Sequence, residues 1–172
     1  TSRSRKPCLQ LDNTTYEEII KKYGEAYRQA TIIKNGETIN QISYSYSFAV
    51  PYTTKLHARA SVFFFANSKL IGYNYLSSFP EDNVKFDAEK ISMIKQGSTS
   101  RTQVIALLGS PVGYHKYPLV KEKNTIGLVY SSYESWRVPF SPKPRYISKS
   151  LVVTFGSDDI VTNTDFSSSE SQ

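Results

Sequence analysis

The stretch NTTYEEIIKKYGEA, residues 13–26, aligns without a gap on STSRTQVIALLGSP, residues 98–111. Thr14 meets Thr99, Ile19 and Ile20 meet Val104 and Ile105, Tyr23 meets Leu108, and Gly24 meets Gly109. An internal duplication constrains a fold more than any single motif, because each copy must be one supersecondary unit that buries a face with the help of its neighbour. Both copies read as a capped helix. In the second, Ser98 or Thr99 can accept hydrogen bonds from the free helix amides, Gly109 ends the helix in a left-handed conformation, and Pro111 blocks its continuation.

Collinear matches follow downstream. ISYSYS at 42–47 resembles LVYSSY at 128–133, and SVFFFANSKLIGYNYLSS at 61–78 aligns on LVVTFGSDDIVTNTDFSS at 151–168. The second alignment sets Phe65 on Phe155, Leu70-Ile71 on Ile160-Val161 and Ser77-Ser78 on Ser167-Ser168. These segments alternate apolar with polar residues and turn at Asn67-Ser68 and Ser157-Asp158, the pattern of half-buried hairpins. The order predicts an α+β fold, a tandem repeat of two helix-plus-antiparallel-sheet units. Residues 1–11 are assigned to a flexible N-terminal arm, 12–79 to the first α+β repeat, 80–168 to the second, and 169–172 to a disordered tail. Phe86, Ile91 and Ile94 place a short helix at the opening of the second repeat.

Charge and cysteine usage narrow the function classes. The formal net charge is +6, but residues 1–85 carry 11 basic and 7 acidic side chains and residues 86–172 carry 10 and 8. An excess spread this thinly disfavours nucleic acid as a partner, and the clusters Arg3-Arg5-Lys6, Lys116-Lys121-Lys123 and Lys143-Arg145-Lys149 read as solvated loops. Cys8 is the single cysteine and forms no internal disulfide. RSRKPC lacks the small and apolar residues that precede a lipid-bearing cysteine, so Cys8 reads as a free thiol in the arm. No apolar run approaches the roughly 20 residues of a membrane span.

The residues of catalysis are not assembled. His57 and His115 lie in separate loop-like settings, and there is no Gly-x-Ser-x-Gly elbow, P-loop or GxGxxG pattern. Glu17-Glu18 suit the positive end of a helix, and Asp158-Asp159 suit a hairpin turn. The sequence therefore reads as a non-enzyme with no metal and no cofactor. What remains is aromatic: Tyr44, Tyr46, Tyr73, Tyr75, Tyr130, Tyr133, Trp136, Arg137 and Phe140 are the residue types that dominate protein-binding hot spots, and they form the candidate binding set.

The segment ISMIKQGSTSRTQVIALLGSP, followed by LVYSSYESW and LVVTFGSDDIVTNTDFSSS, resembles the SmpA/OmlA (BamE-like) family of small bacterial outer-membrane lipoproteins. The matching positions are Ile91, Ile94, Gly97, Thr99, Val104, Leu108, Gly109, Pro111, Trp136, Phe155 and Val161. A tandem pair of such units also resembles the architecture of β-lactamase inhibitor proteins, although those carry disulfides that a single cysteine cannot form. The loop at 112–127 is longer than a minimal SmpA/OmlA member needs. The resemblance implies a non-enzymatic envelope protein of a Gram-negative bacterium, in the periplasm or at the outer membrane. It would be a lipoprotein whose anchor is not seen in this chain, and its partners would be envelope proteins in outer-membrane assembly or a secretion complex. The alternatives are an inhibitor-like binder of a secreted or periplasmic enzyme such as a β-lactamase or other hydrolase, and a basic binder of nucleic acid or anionic lipid. In every version the helices hold the sheet, and function is expected on the sheet's other face and in the loops.

Overall fold

The computed structural model describes residues 9–171. Helix α1 (Tyr16–Tyr23) leads into strands β1 (Arg28–Lys34), β2 (Glu37–Ala49), β3 (Lys55–Ala66) and β4 (Lys69–Ser77). Short 3-10 turns at Pro80–Asp82 and Ala88–Met93 connect to helix α2 (Arg101–Leu108), then β5 (Gly113–His115), β6 (Ile126–Trp136), β7 (Arg145–Phe155) and β8 (Val161–Glu170). The eight strands form one antiparallel sheet in sequence order. The protein is mostly β, since each helix is only 8 residues long.

The halves repeat hydrogen bond by hydrogen bond. Thr15 and Glu18 form a reciprocal capping box, and so do Ser100 and Gln103. The Thr14 hydroxyl accepts from the Gln10 amide at 3.0 Å, and the Thr99 hydroxyl accepts from the Lys95 amide at 2.8 Å. Asp12 and Gly97 both take positive φ, and both donate their amides at 2.8 Å, to the carbonyls of Leu70 and Val161 respectively. The helix cap is thus Ser100 and neither Ser98 nor Thr99, because the Thr99 hydroxyl is already engaged and only Ser100 stands three residues ahead of Gln103.

The hairpins correct the sequence alignment by one residue. Phe65 pairs with Leu70 and Phe155 with Val161, each beside a β-bulge, so Leu70 is the counterpart of Val161 and the second hairpin is one residue longer. The tail assignment is corrected as well. Residues 169 and 170 pair with Ser148 and Ile147 in β8, and the Ser171 amide donates to the Tyr146 carbonyl. Backbone pairing suffices to order a serine-rich segment whose side chains contribute little. Of the N-terminal arm, Leu9 and Leu11 pack against the first core, while Cys8 and Arg3-Arg5-Lys6 lie outside the described residues.

Each helix covers its own part of one sheet face. Ile19 packs on Ile42, Phe63, Phe65 and Leu70. Val104 and Leu108 pack on Leu128, Tyr130, Leu151, Val153, Phe155 and Val161, joined by Ile94 and flanked by Phe86 and Ile91. Among the family-motif positions Gly97 and Gly109 hold positive φ, and Ile94, Val104, Leu108, Phe155 and Val161 lie in the second core with Ile91 flanking it. Pro111 is half-buried just after the α2 cap.

The sheet does not stay open. β3 pairs with β6 at Lys55–Trp136 and Leu56–Ser135, which closes β3, β4, β5 and β6 into a four-stranded antiparallel ring. Gly113 permits the close approach of β5 to β4, since a Cβ there would lie 2.0 Å from the Tyr73 carbonyl oxygen. The long loop between β5 and β6 then folds back over the first half. Its Leu119 is buried with Ile39, Phe64 and Ile71, and Asn35 donates its side-chain amide to the Pro118 and Val120 carbonyls at 2.9 and 3.1 Å.

Candidate functional site

The ring closure brings the β2–β3 turn (residues 50–54) beside the β6–β7 loop (residues 137–144), the same connection in each half. Arg137 fastens them. Its amide donates to the Thr54 carbonyl at 2.6 Å and its guanidinium to the Thr53 carbonyl at 3.0 Å. Each connection presents one aromatic fully to solvent, Tyr52 at 107% relative exposure and Phe140 at 108%. Both residues sit at positive φ, 60° and 63°. Left-handed backbone is costly for bulky residues and persists only where the surroundings enforce it. Two tied turns thus hold aromatic rings outward at a strained tip.

Behind the tip, on the helix-bearing face, lies a cleft of about 540 Å³ walled by Lys55, His57, Phe79, Lys85, Glu134 and Trp136. Its floor is pinned by the connector after β4. Asp82 accepts from Arg59 Nε at 2.6 Å, Ser77 Oγ at 2.6 Å and Tyr75 OH at 2.8 Å. Burial alone would raise the Asp82 carboxyl, but these hydrogen bonds and the Arg59 charge outweigh it and hold the group at about 2. The Arg59 guanidinium lies 4.0 Å over the Phe79 ring, and Tyr46 and His57 pack on the same ring. His57 Nδ1 is 2.9 Å from the Ser78 carbonyl, which only accepts, so Nδ1 carries the proton and Nε2 is left for another partner.

The charge pattern differs from the sequence reading. Lys55 and Arg145 flank Trp136 from opposite sides, Arg137 ties the two turns, Lys143 lies in the β6–β7 loop, and Lys149 stands further along β7. None of them enters an ion pair among the described residues. Glu134 is bonded by Lys85 and lies below the usual carboxylate range, first because of that bond and charge, with Lys55 and Lys149 adding to it. Basic residues distant in the chain thus meet around Trp136.

The nine candidate residues separate accordingly. Phe140, Arg137 and Trp136 belong to the tip and cleft, and Tyr46 borders them through Phe79. Tyr44 lies under α1 and donates its hydroxyl to the Gly24 carbonyl at 2.7 Å. Tyr73 packs against the first core, and Tyr75 is tied to Asp82. Tyr130 is corrected outright: at 2% exposure it is core, with its hydroxyl pushed up to about 12 by burial and then by Tyr114. Tyr133 stacks on Tyr146 on the reverse face. Tyr52, Lys55 and Arg145 were not among the candidates; the one sequence signal for Tyr52 is that Pro51-Tyr52-Thr53-Thr54 occupies the turn equivalent to the Phe140 loop. His115 is buried and bonded to Asn74 Oδ1 at 2.6 Å, away from this site. Among the described residues no cluster of acids, histidines or thiols is arranged to hold a metal, and no helix is long and apolar enough to cross a membrane.

No family model matches the chain, the SmpA/OmlA family included. No curated protein matches it. Among solved structures the chain is similar to a putative beta-lactamase inhibitor protein from Streptococcus mutans, at 12% identity over 90% of this chain and 82% of that chain, with a TM-score of 0.40. A likeness of this size carries no assignment of function.

Proposed function

We propose that the chain is a non-catalytic protein-binding module that docks through its two tied turns. The carrying observation is the pair Tyr52 and Phe140, fully exposed at positive φ on equivalent connections and joined by Arg137. Exposed aromatics beside an arginine are the residues that most often anchor protein interfaces, and a pre-ordered tip loses little entropy on binding. The test is the double variant Tyr52→Ser/Phe140→Ser, whose positions support no core. A partner captured from a detergent-solubilised Gram-negative envelope at about 0.15 M salt should be lost with this variant while its circular dichroism is unchanged. Capture that persists undiminished rejects the tip as the docking surface.

The inhibitor reading draws on the same pair: two fully exposed aromatics tied at one tip would suit insertion into a concave enzyme cleft. Titration against secreted hydrolases, β-lactamases among them, should then show activity falling to a plateau at one-to-one stoichiometry, with relief in the same double variant. A location in the bacterial envelope, in outer-membrane assembly or in a secretion complex, belongs to this proposal as the setting in which such a partner would be sought.

A further inference from the structure

The docking reading leaves open what lies against the cleft behind the tip, and the register of three strands narrows it. Trp136 is paired across the sheet with Lys55 on one side and Arg145 on the other, so the three side chains share one face in a row. Lys149 stands four residues along β7 on the same face, across from Ser132. The cleft's one carboxylate, Glu134, is already engaged by Lys85, whereas Lys55 and Arg145 enter no ion pair among the described residues, Lys55 acting on Glu134 only through its charge. Phe79 and Trp136 supply apolar wall between these charges, and His57 Nε2 supplies a polar contact.

Resting on the docking reading, we propose that this cleft receives a short acidic segment of the protein partner, with carboxylates at Lys55 and Arg145 and an apolar side chain between them against Trp136 and Phe79. The chemistry favours a peptide over a polyanion, because the cleft alternates charge with apolar wall: Phe79, Val84 and Trp136 line it beside Lys55 and Lys85, and Glu134 is a fixed negative charge among them. The opposed charges of segment and cleft would speed encounter and set the register, and they would weaken as salt rises.

Trp136 is the single tryptophan of the chain, so its emission reports on the cleft. The probe is a short synthetic peptide of glutamates interspersed with phenylalanine and leucine, compared with the same peptide carrying glutamine for glutamate. Phosphatidylglycerol vesicles and an oligothymidylate serve as the rival anions. A saturable change with the acidic peptide alone is expected at about 0.15 M salt, with affinity falling about tenfold in Lys55→Gln/Arg145→Gln, both exposed positions. An equal response to the glutamine peptide, a response confined to vesicles or oligonucleotide, or indifference to the double variant overturns the proposal. If partner capture through Tyr52 and Phe140 persists while the acidic peptide gives nothing, the cleft assignment falls and the docking reading stands. If both fail, the docking reading falls with it.

Discussion

The two halves share their capping boxes, their bulged hairpins and their strand order, yet they are buried differently. Among the described residues the second half gathers nine buried side chains in the cluster that includes α2, while the first gathers five in the cluster that includes α1, Phe63 and Phe65 being half of its strand contribution. The first half gains a further cluster on its reverse face, and that cluster is completed by Leu119 from the second. A duplicated unit need not be a self-sufficient one. Closure of the ring and the loop over Ile39, Phe64 and Ile71 make one folding body from two similar pieces.

Several changes would break or sharpen this comparison. Phe65→Ala and Phe155→Ala remove equivalent core rings, both at 1% exposure or less, and each should cost about 3–5 kcal/mol in denaturant melts. If either costs under about 1 kcal/mol, the two positions are not equivalent in energy. Leu119→Ala should cost about 2–5 kcal/mol, and the loss should reach the amides of β1–β4 in hydrogen exchange although the residue belongs to the second half. Exchange confined to β5–β8 would refute the borrowed core.

His115 gives a pH axis across the same junction. It packs edge-on against Phe64 of the first half at 5.4 Å, and burial, then the Lys34 charge, lowers it to about 4. The unfolded imidazole, near 6.5, binds its proton before the folded one does. Stability should therefore be full above about pH 6.5 and fall by up to about 3 kcal/mol as pH drops to 4. In His115→Gln this slope should flatten; an unchanged slope would assign it to other groups.

The smallest contrast is between Tyr44 and Tyr130, counterparts in β2 and β6. Tyr44 donates to the Gly24 carbonyl, while the buried Tyr130 hydroxyl has no hydrogen-bond partner among the described residues. Tyr44→Phe should cost about 1 kcal/mol, and Tyr130→Phe should be neutral or gain about as much, since a buried unsatisfied hydroxyl is a penalty. Equal costs in thermal melts would show that the two positions have the same surroundings after all.

Local chemistry made much of the fold legible. Glycine after the last apolar turn and period-2 alternation act over a few residues, so both helices and the paired hairpins were readable from the letters, while the cap of the second helix was read one or two residues early. The place of Tyr44 under α1 was not readable, since by residue type it stood among the binding candidates. Contacts between residues distant in the chain carry no such local signature. The closure of β3 on β6, the burial of Leu119 under strands some fifty and eighty positions away, and the sorting of Tyr130 into the core and Phe140 into solvent were settled by packing. The same holds for charge: counted along the chain the excess is thin, but repulsion and attraction act through space, and only the fold brings Lys55 beside Arg145. The sequence by itself determined two similar units and their inner faces, and the tertiary structure decided that their outer turns meet at one aromatic, cationic tip, because meeting there depends on which strands close the ring.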